Sequence, residues 1–240
     1  MMSLIHIPNT TIYAIASLTN LTLGSFFISS HISQRWLKKF NFTLLDANAF
    51  VKCLIVLFGF TVISPEAFFH GGLVMQSIGL AIGCFLGILY YKFEVQMVKL
   101  FPKTINFSSN NMNLLQFKSN NIKNFLNNKS KPVTSKQDNH SYLSAGMVAT
   151  FEEVLFRGFL TLLCFNLPNL IYAISCLCLV NLAFALSHIN LGYLHVFTKL
   201  ILGFICLISF VIIDSIFMPI AIHTTFNLLA IKKIRESNYA

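Results

Sequence analysis

The chain has 240 residues, 55% of them hydrophobic and only 10% charged, with a mean hydropathy of +0.70. A soluble globular domain carries about 25% charged residues, so this composition excludes one and points to a polytopic membrane protein, expected as a single integral domain. The formal charge of +9 would suggest nucleic acid in a soluble chain, but its distribution along this chain argues for membrane topology, and no nucleic-acid partner is expected.

The expected fold class is all-α, a polytopic transmembrane helical bundle of about seven spans, at residues 5–29, 49–69, 72–91, 142–165, 170–189, 194–213 and 215–231. The first span is diluted by Asn9, Asn20 and several Thr. No Lys or Arg precedes Arg35. A cleavable signal peptide carries its positive charge ahead of the apolar run, so a retained first span is expected. With the N-terminus outside, the loops at 30–48, 92–141 and 190–193 and the C-terminal tail lie inside. The first loop holds Arg35, Lys38 and Lys39, the second holds eight Lys from Lys92 to Lys136, and the tail holds Lys232, Lys233 and Arg235. Lys52 and Lys199 fall at the inner ends of their spans. That arrangement accounts for 16 of the 17 Lys and Arg residues, the exception being Arg157. The positive-inside rule then sets the orientation, with contact to anionic lipid as a by-product. The expected location is the bacterial inner (plasma) membrane, N-terminus out and C-terminus cytoplasmic.

Residues 102–141 are the one compositional break, rich in Asn, Ser and Lys. Such a segment cannot bury enough apolar surface to fold alone. It reads as a cytoplasmic linker with a short interfacial helix around Leu114–Leu126. It divides the chain into an N-terminal three-span region, 1–101, and a C-terminal four-span core with a basic tail, 142–240. There is no internal repeat, the sequence mark of many secondary transporters. Six cysteines lie within spans, none in a C-x-x-C pair, and read as small packing residues.

The polar residues inside spans are unevenly placed. The first three spans offer Lys52 and Glu66, both near span ends. The last four hold Glu152, Glu153, Arg157, Asn181, His188, His223 and Asn227. An ionised group near the bilayer centre costs about 2.5–3.5 kcal/mol, so the three charges in Glu152–Arg157 must face a polar interior, pair, or serve chemistry. Glu153 and Arg157 are four apart and share a helix face, which allows an intrahelical pair of a purely structural kind. Glu152 is rotated by about 100° from it and is left without a local cation. Phe184 and His188 on the fifth span, and His223 and Asn227 on the last, are again four apart. Alone, each of these is readable as packing or as a bridge between helices, as is Asn181. Together they bring a carboxylate, two imidazoles and an amide to a similar depth. Water-mediated acyl hydrolysis needs that set: a base for the water and donors for the developing oxyanion.

Glu152-Glu153-Val-Leu-Phe-Arg157 matches an E-E-x-x-x-R signature, Phe184-Ala-Leu-Ser-His188 an F-x-x-x-H motif, and His223-Thr-Thr-Phe-Asn227 an H-x-x-x-N motif. In order and spacing the three resemble the CPBP intramembrane proteases, the family of type II CAAX prenyl endopeptidases and bacterial Abi proteins. The resemblance covers about residues 142–231; the Asn-rich linker departs from it. It implies an intramembrane endopeptidase with its catalytic core in the C-terminal four helices, acting on a membrane-associated protein or peptide. By resemblance Glu152 activates water with His188 assisting, His223 and Asn227 stabilise the oxyanion, Glu153 and Arg157 support the helix, and Phe184 lines the cavity. Glu152, His188 and His223 also make a conceivable three-ligand zinc site. Without an H-E-x-x-H pair to organise it, the metal-free glutamate mechanism is preferred. Two rivals stand beside this reading. A non-catalytic relative serving as scaffold or immunity protein needs none of the motif residues. A proton or ion translocator needs polar groups strung between both faces, whereas the outer halves offer little beyond Glu66 and Asp214.

Overall fold

The computed structural model describes residues 17–21, 24, 44–60, 72–101, 135–189 and 192–239, and all regular structure among them is helical. The helices are α1 (Leu44–Gly59), α2 (Leu73–Leu100), α3 (Ser135–Glu153), α4 (Thr161–Phe165), α5 (Leu170–Leu186), α6 (Tyr193–Ile213) and α7 (Phe217–Tyr239). A π-helical stretch, Val154–Leu160, joins α3 to α4 without a break. Most of the expected first span, Glu66, and the linker over 102–134 with its interfacial helix lie outside the described residues.

Among the described residues two helices, α2 and α6, are long and apolar enough to cross a membrane, and α5 is a shorter apolar helix of 17 residues. Several boundaries differ from the expected spans. α1 begins at Leu44 rather than 49, α2 runs on to Leu100, and α3 begins at Ser135, seven residues before the expected span start at 142. Hydropathy marks where apolar residues are dense, whereas a helix continues for as long as its backbone bonds and packing allow. The α5–α6 junction is longer than expected: α5 ends at Leu186, leaving His188 in the turn beyond it. The turn between α4 and α5 carries Pro168, and the Asn169 side chain accepts from the Ile171 amide at 2.8 Å, capping α5.

Size sorts the side chains in an inverted way. Along α2 the buried residues are Gly79, Gly83, Gly87, Tyr90 and Glu94. Leu73, Val74, Ile78, Leu80, Ile82, Phe85 and Leu89 of the same helix are exposed. α5 and α6 likewise expose Leu170, Ile171, Leu179, Phe204, Ile208 and Ile212. Contiguous apolar surface of this extent marks contact with lipid or a partner. Small residues facing inward let helix backbones approach closely, the packing mode of helices in lipid. The glycines of α2 meet α7 directly. A Cβ on Gly83 would lie 2.7 Å from both the Ala221 Cβ and the Met218 carbonyl oxygen, and one on Gly87 would lie 2.6 Å from the Ile222 carbonyl. α7 packs on α2, α3 and α6, while α3 also packs on α1. α3 and the π stretch are thereby held between α1, α5 and α7.

One apolar cluster gathers Val51, Ile55 and Val56 of α1 with Leu155, Phe156, Phe159 and Leu160 of the π stretch, Leu163 and Cys164 of α4, and Val180 and Phe184 of α5. A second joins Tyr90 to Leu202, Cys206, Met218, Ile222 and Phe226. Beside the second cluster runs a polar seam. The Tyr90 hydroxyl donates to the Thr198 carbonyl, Thr198 Oγ1 donates to Glu94 at 2.8 Å, and His195 Nδ1 lies 3.4 Å from Glu94. Lys199 is buried with its ammonium 4.1 Å from the centre of the Phe226 ring. Lys199 and Lys52 are both buried among the helices. The positive-inside count rests on the other fourteen of the sixteen inner Lys and Arg residues.

Close approach at Gly83 and Gly87 predicts graded costs. Gly87→Ala and Gly83→Ala should each lower stability by about 1–3 kcal/mol through overpacking against backbone. Gly79→Ala, whose Cβ would meet Ile213 and Met218 at an ordinary 3.4 Å, should cost far less. Thermal unfolding of the purified variants in detergent checks the ranking.

Candidate functional site

The sequence places two carboxylates side by side at Glu152 and Glu153, and the fold answers each with different partners. Glu153 is fully buried. Its Oε2 lies 3.2 Å from Arg157 Nε, and its Oε1 lies 2.7 Å from His223 Nδ1. The expected Glu153–Arg157 pair is present, although the backbone between them is not α-helical. The π register begins at Val154, immediately after the carboxylates, and Thr161 Oγ1 donates to the Phe156 carbonyl at 2.8 Å, five residues back. π-turns inside α-helices occur mostly as single-turn insertions and frequently at functional sites. Arg157 reaches on to α5, where Nη2 lies 3.5 Å from Asn181 Oδ1, and Asn181 Nδ2 donates to the Leu200 carbonyl of α6 at 3.2 Å. Asn181 is thus a helix-to-helix bridge. The bridge needs Gly203 beneath it, because a Cβ there would collide with Asn181 Oδ1 and lie 2.9 Å from Arg157 Nη2.

Glu152 is not left without a cation. Lys52 of α1 donates its ammonium to Glu152 Oε1, and both side chains are almost wholly buried. This corrects the expectation of a Glu152 carboxylate left without a cation. The partner comes from a helix one hundred residues away in sequence, so no search along the glutamate's own helix finds it. Among the described residues the other oxygen, Oε2, has no hydrogen-bond partner. It lies 3.6 Å from His223 Nε2, which is also unpartnered. Two buried polar atoms facing each other without partners are a feature of catalytic or water-binding centres rather than of ordinary cores.

Phe184 is the hub of this cluster. It is fully buried, with its ring edge-to-face with Phe156 at 5.2 Å, His188 at 5.3 Å and His223 at 5.7 Å. The Arg157 guanidinium sits 4.2 Å from its centroid. The two imidazoles of the sequence reading are therefore brought to one aromatic ring. His188 Nδ1 lies 3.1 Å from the Phe184 carbonyl and 3.0 Å from Ser187 Oγ. A carbonyl only accepts, so a bond to it places the proton on Nδ1 and leaves Nε2 as an acceptor. Asn227 follows His223 by one turn of α7 and is half-buried. Its side chain makes no hydrogen bond among the described residues.

The donor set for zinc was Glu152, His188 and His223. Glu152 and His223 bring two donor atoms together. Among the described residues, however, no group of three or more His, Cys, Asp and Glu side chains is placed to hold a metal ion. As arranged, the His188 ring is tied to its own turn and does not complete a three-ligand set.

Residues 141–229, which contain every motif residue above, match the family model described as type II CAAX prenyl endopeptidase Rce1-like. The match bears out the family resemblance read from the three motifs and identifies a protease family over this segment. Together with the two long apolar helices it supports an integral membrane protein. No curated protein and no solved structure matches the chain. The matching segment excludes α1 and α2, and hence Lys52.

Removing one member of a buried ion pair leaves the other charge uncompensated, at a cost of about 3–5 kcal/mol. Arg157→Met should therefore destabilise strongly, and adding Glu153→Gln should recover part of the loss. Chemical denaturation of the single and double variants measures the coupling; additive losses would contradict it.

Proposed function

We propose that this type II CAAX prenyl endopeptidase Rce1-like segment makes the chain an intramembrane endopeptidase, hydrolysing a peptide bond of a membrane-associated protein or peptide. The observation that carries the reading is the facing pair of unpartnered atoms, Glu152 Oε2 and His223 Nε2, 3.6 Å apart and buried. A water bound beside this gap meets a proton acceptor in Glu152 Oε2, and the scissile carbonyl oxygen can reach the His223 nitrogen.

In the proposed sequence Glu152 Oε2 takes a proton from water while the water oxygen attacks the carbonyl carbon. His188, with Nε2 as an acceptor, helps to hold the water. The carbonyl oxygen becomes an oxyanion, for which His223 Nε2–H and the Asn227 amide are the donors. Glu153 on Nδ1 compensates the positive charge of His223 when both ring nitrogens carry protons. Glu152 returns its proton to the leaving amine as the carbon–nitrogen bond breaks. Glu153 and Arg157 position the helix, and Phe184 walls the site against both imidazoles. No step passes through a metal. We place the segment in a bundle of about seven spans in a bacterial inner membrane, with the N-terminus out and the C-terminus cytoplasmic. The charges outside the interior support that orientation.

The test uses purified wild type and Glu152→Gln with a prenylated CAAX-type peptide and a panel of unprenylated membrane-protein tails. Wild type should cleave at least one. Glu152→Gln should lose at least about 10²-fold in rate, the scale of general acid–base catalysis, measured on folded protein, with a lower melting temperature because the buried Lys52 loses its partner. Equal cleavage by both overturns the role of Glu152, and no cleavage by wild type favours a scaffold. In the same assay, activity unchanged after exhaustive chelation is the expected result; loss restored by added zinc would overturn the metal-free mechanism.

A further inference from the structure

We propose that Lys52 is a positioning residue of the hydrolytic site, so that α1 completes a centre whose other members come from residues 141–229. The proposal rests on the protease reading above and adds to it a residue that lies outside the matching segment and outside all three motifs.

Three observations carry it. First, Lys52 is 6% exposed, on a helix whose Leu54, Leu57 and Phe58 are open to the surroundings. A lysine with a flexible four-carbon stem normally carries its ammonium to water, and this one turns inward. Second, its partner is the motif carboxylate itself: the ammonium bonds Glu152 Oε1. Third, that bond divides the work of the carboxylate. One oxygen is fixed by Lys52, and the other, Oε2, is left bare and aimed at His223 Nε2. A carboxylate held at one oxygen cannot rotate its second oxygen away from the water it serves. Restricting a reacting group in this way is worth large rate factors.

The charges around the site fit the assignment. Glu153 already has Arg157 and His223. Lys199 stands over Phe226, beside the Glu94 seam. Without Lys52, Glu152 would have no lysine or arginine within ion-pair distance among the described residues, because Arg157 pairs with Glu153. Neighbouring contacts hold α1 in place: Ser144 of α3 donates to Asp46 at the start of α1, and Phe60 beyond its end stacks edge-on against Phe159 at 5.1 Å. The lysine is thus pinned from both ends of its helix.

The experiment compares kcat, KM and melting temperature of full-length wild type, Lys52→Met, Lys52→Arg and Glu152→Gln. Substrate is whichever peptide of the proposed-function panel the wild type cleaves. Lys52→Met should lose roughly 10²-fold in kcat, the scale for removing one oriented electrostatic partner, with KM within threefold. Lys52→Arg should recover at least tenfold of that loss. A Lys52→Met enzyme within threefold of wild-type kcat overturns the proposal, as does a folded Lys52→Arg no better than Lys52→Met. If Lys52→Met fails to fold, Lys52→Arg decides alone: activity above the Glu152→Gln background supports the role, and activity at background overturns it. If wild type and Glu152→Gln are equally inactive, the protease reading fails separately and the pair is judged by melting. Lys52→Met should then lower the melting temperature in the wild-type background and much less in Glu152→Gln; equal losses overturn the pairing.

Discussion

Two adjacent carboxylates stripped of water repel each other and demand positive or hydrogen-donating partners from outside their own turn, and the helices around Glu152 and Glu153 are arranged by that demand. One glutamate is answered from its own strand of helix by Arg157 and from α7 by His223. The other is answered from α1 by Lys52. Because each partner sits on a different helix, the bundle must bring three backbones to one place before the charges become tolerable. Desolvation makes an unpaired charge far more costly than a missing apolar contact. The ion pairs therefore constrain which helix packs where, and the apolar contacts fill what remains.

Close packing follows from that constraint. Long charged side chains fit inside the bundle only where backbones or glycines leave room. Gly203 clears the space that Asn181 and Arg157 occupy, and Gly83 and Gly87 let α7 lie directly on α2. His223 rides on α7, so the glycine stripe of α2 contributes to its placement against Glu153 without touching it. The large aliphatic residues face outward, where lipid asks nothing of them beyond being apolar.

Much of the site was legible in the chain, and the exceptions have physical reasons. Pairs at i, i+4 are local, so Glu153–Arg157 and Phe184–His188 could be read from spacing, and both meet in the structure. The bridge from Asn181 to the α6 backbone was readable because an amide inside an apolar helix has few other uses. Lys52 was missed because its partner is remote, and a lysine near a hydropathy boundary looks like one that reaches for water. Glu94 escaped notice for a related reason: hydropathy stops α2 near residue 91, while the helix runs to Leu100 and carries the glutamate inside. The π stretch left no mark, since Val-Leu-Phe-Arg-Gly-Phe-Leu is an unremarkable helical string. The glycines at 79, 83 and 87 did carry a signal, a small residue every four positions. Hydropathy scoring averages it away.

The π stretch also sets a phase. Each residue of an α-helix turns the next by about 100°, and a π-turn accommodates one residue more than an α-helix would. Upstream of it, Glu152 and Glu153 are in phase with α1 and α7. Downstream, Leu163 and Cys164 are in phase with the apolar cluster that includes α5. A regular helix through this segment could satisfy one set of neighbours and would turn the other away from its contacts. The extra residue acts as a gear change within a single continuous rod, letting a polar centre and an apolar anchor be aligned independently. A deletion of one residue between Val154 and Leu160 would leave the composition almost unaltered and yet disengage one end of the rod from the other.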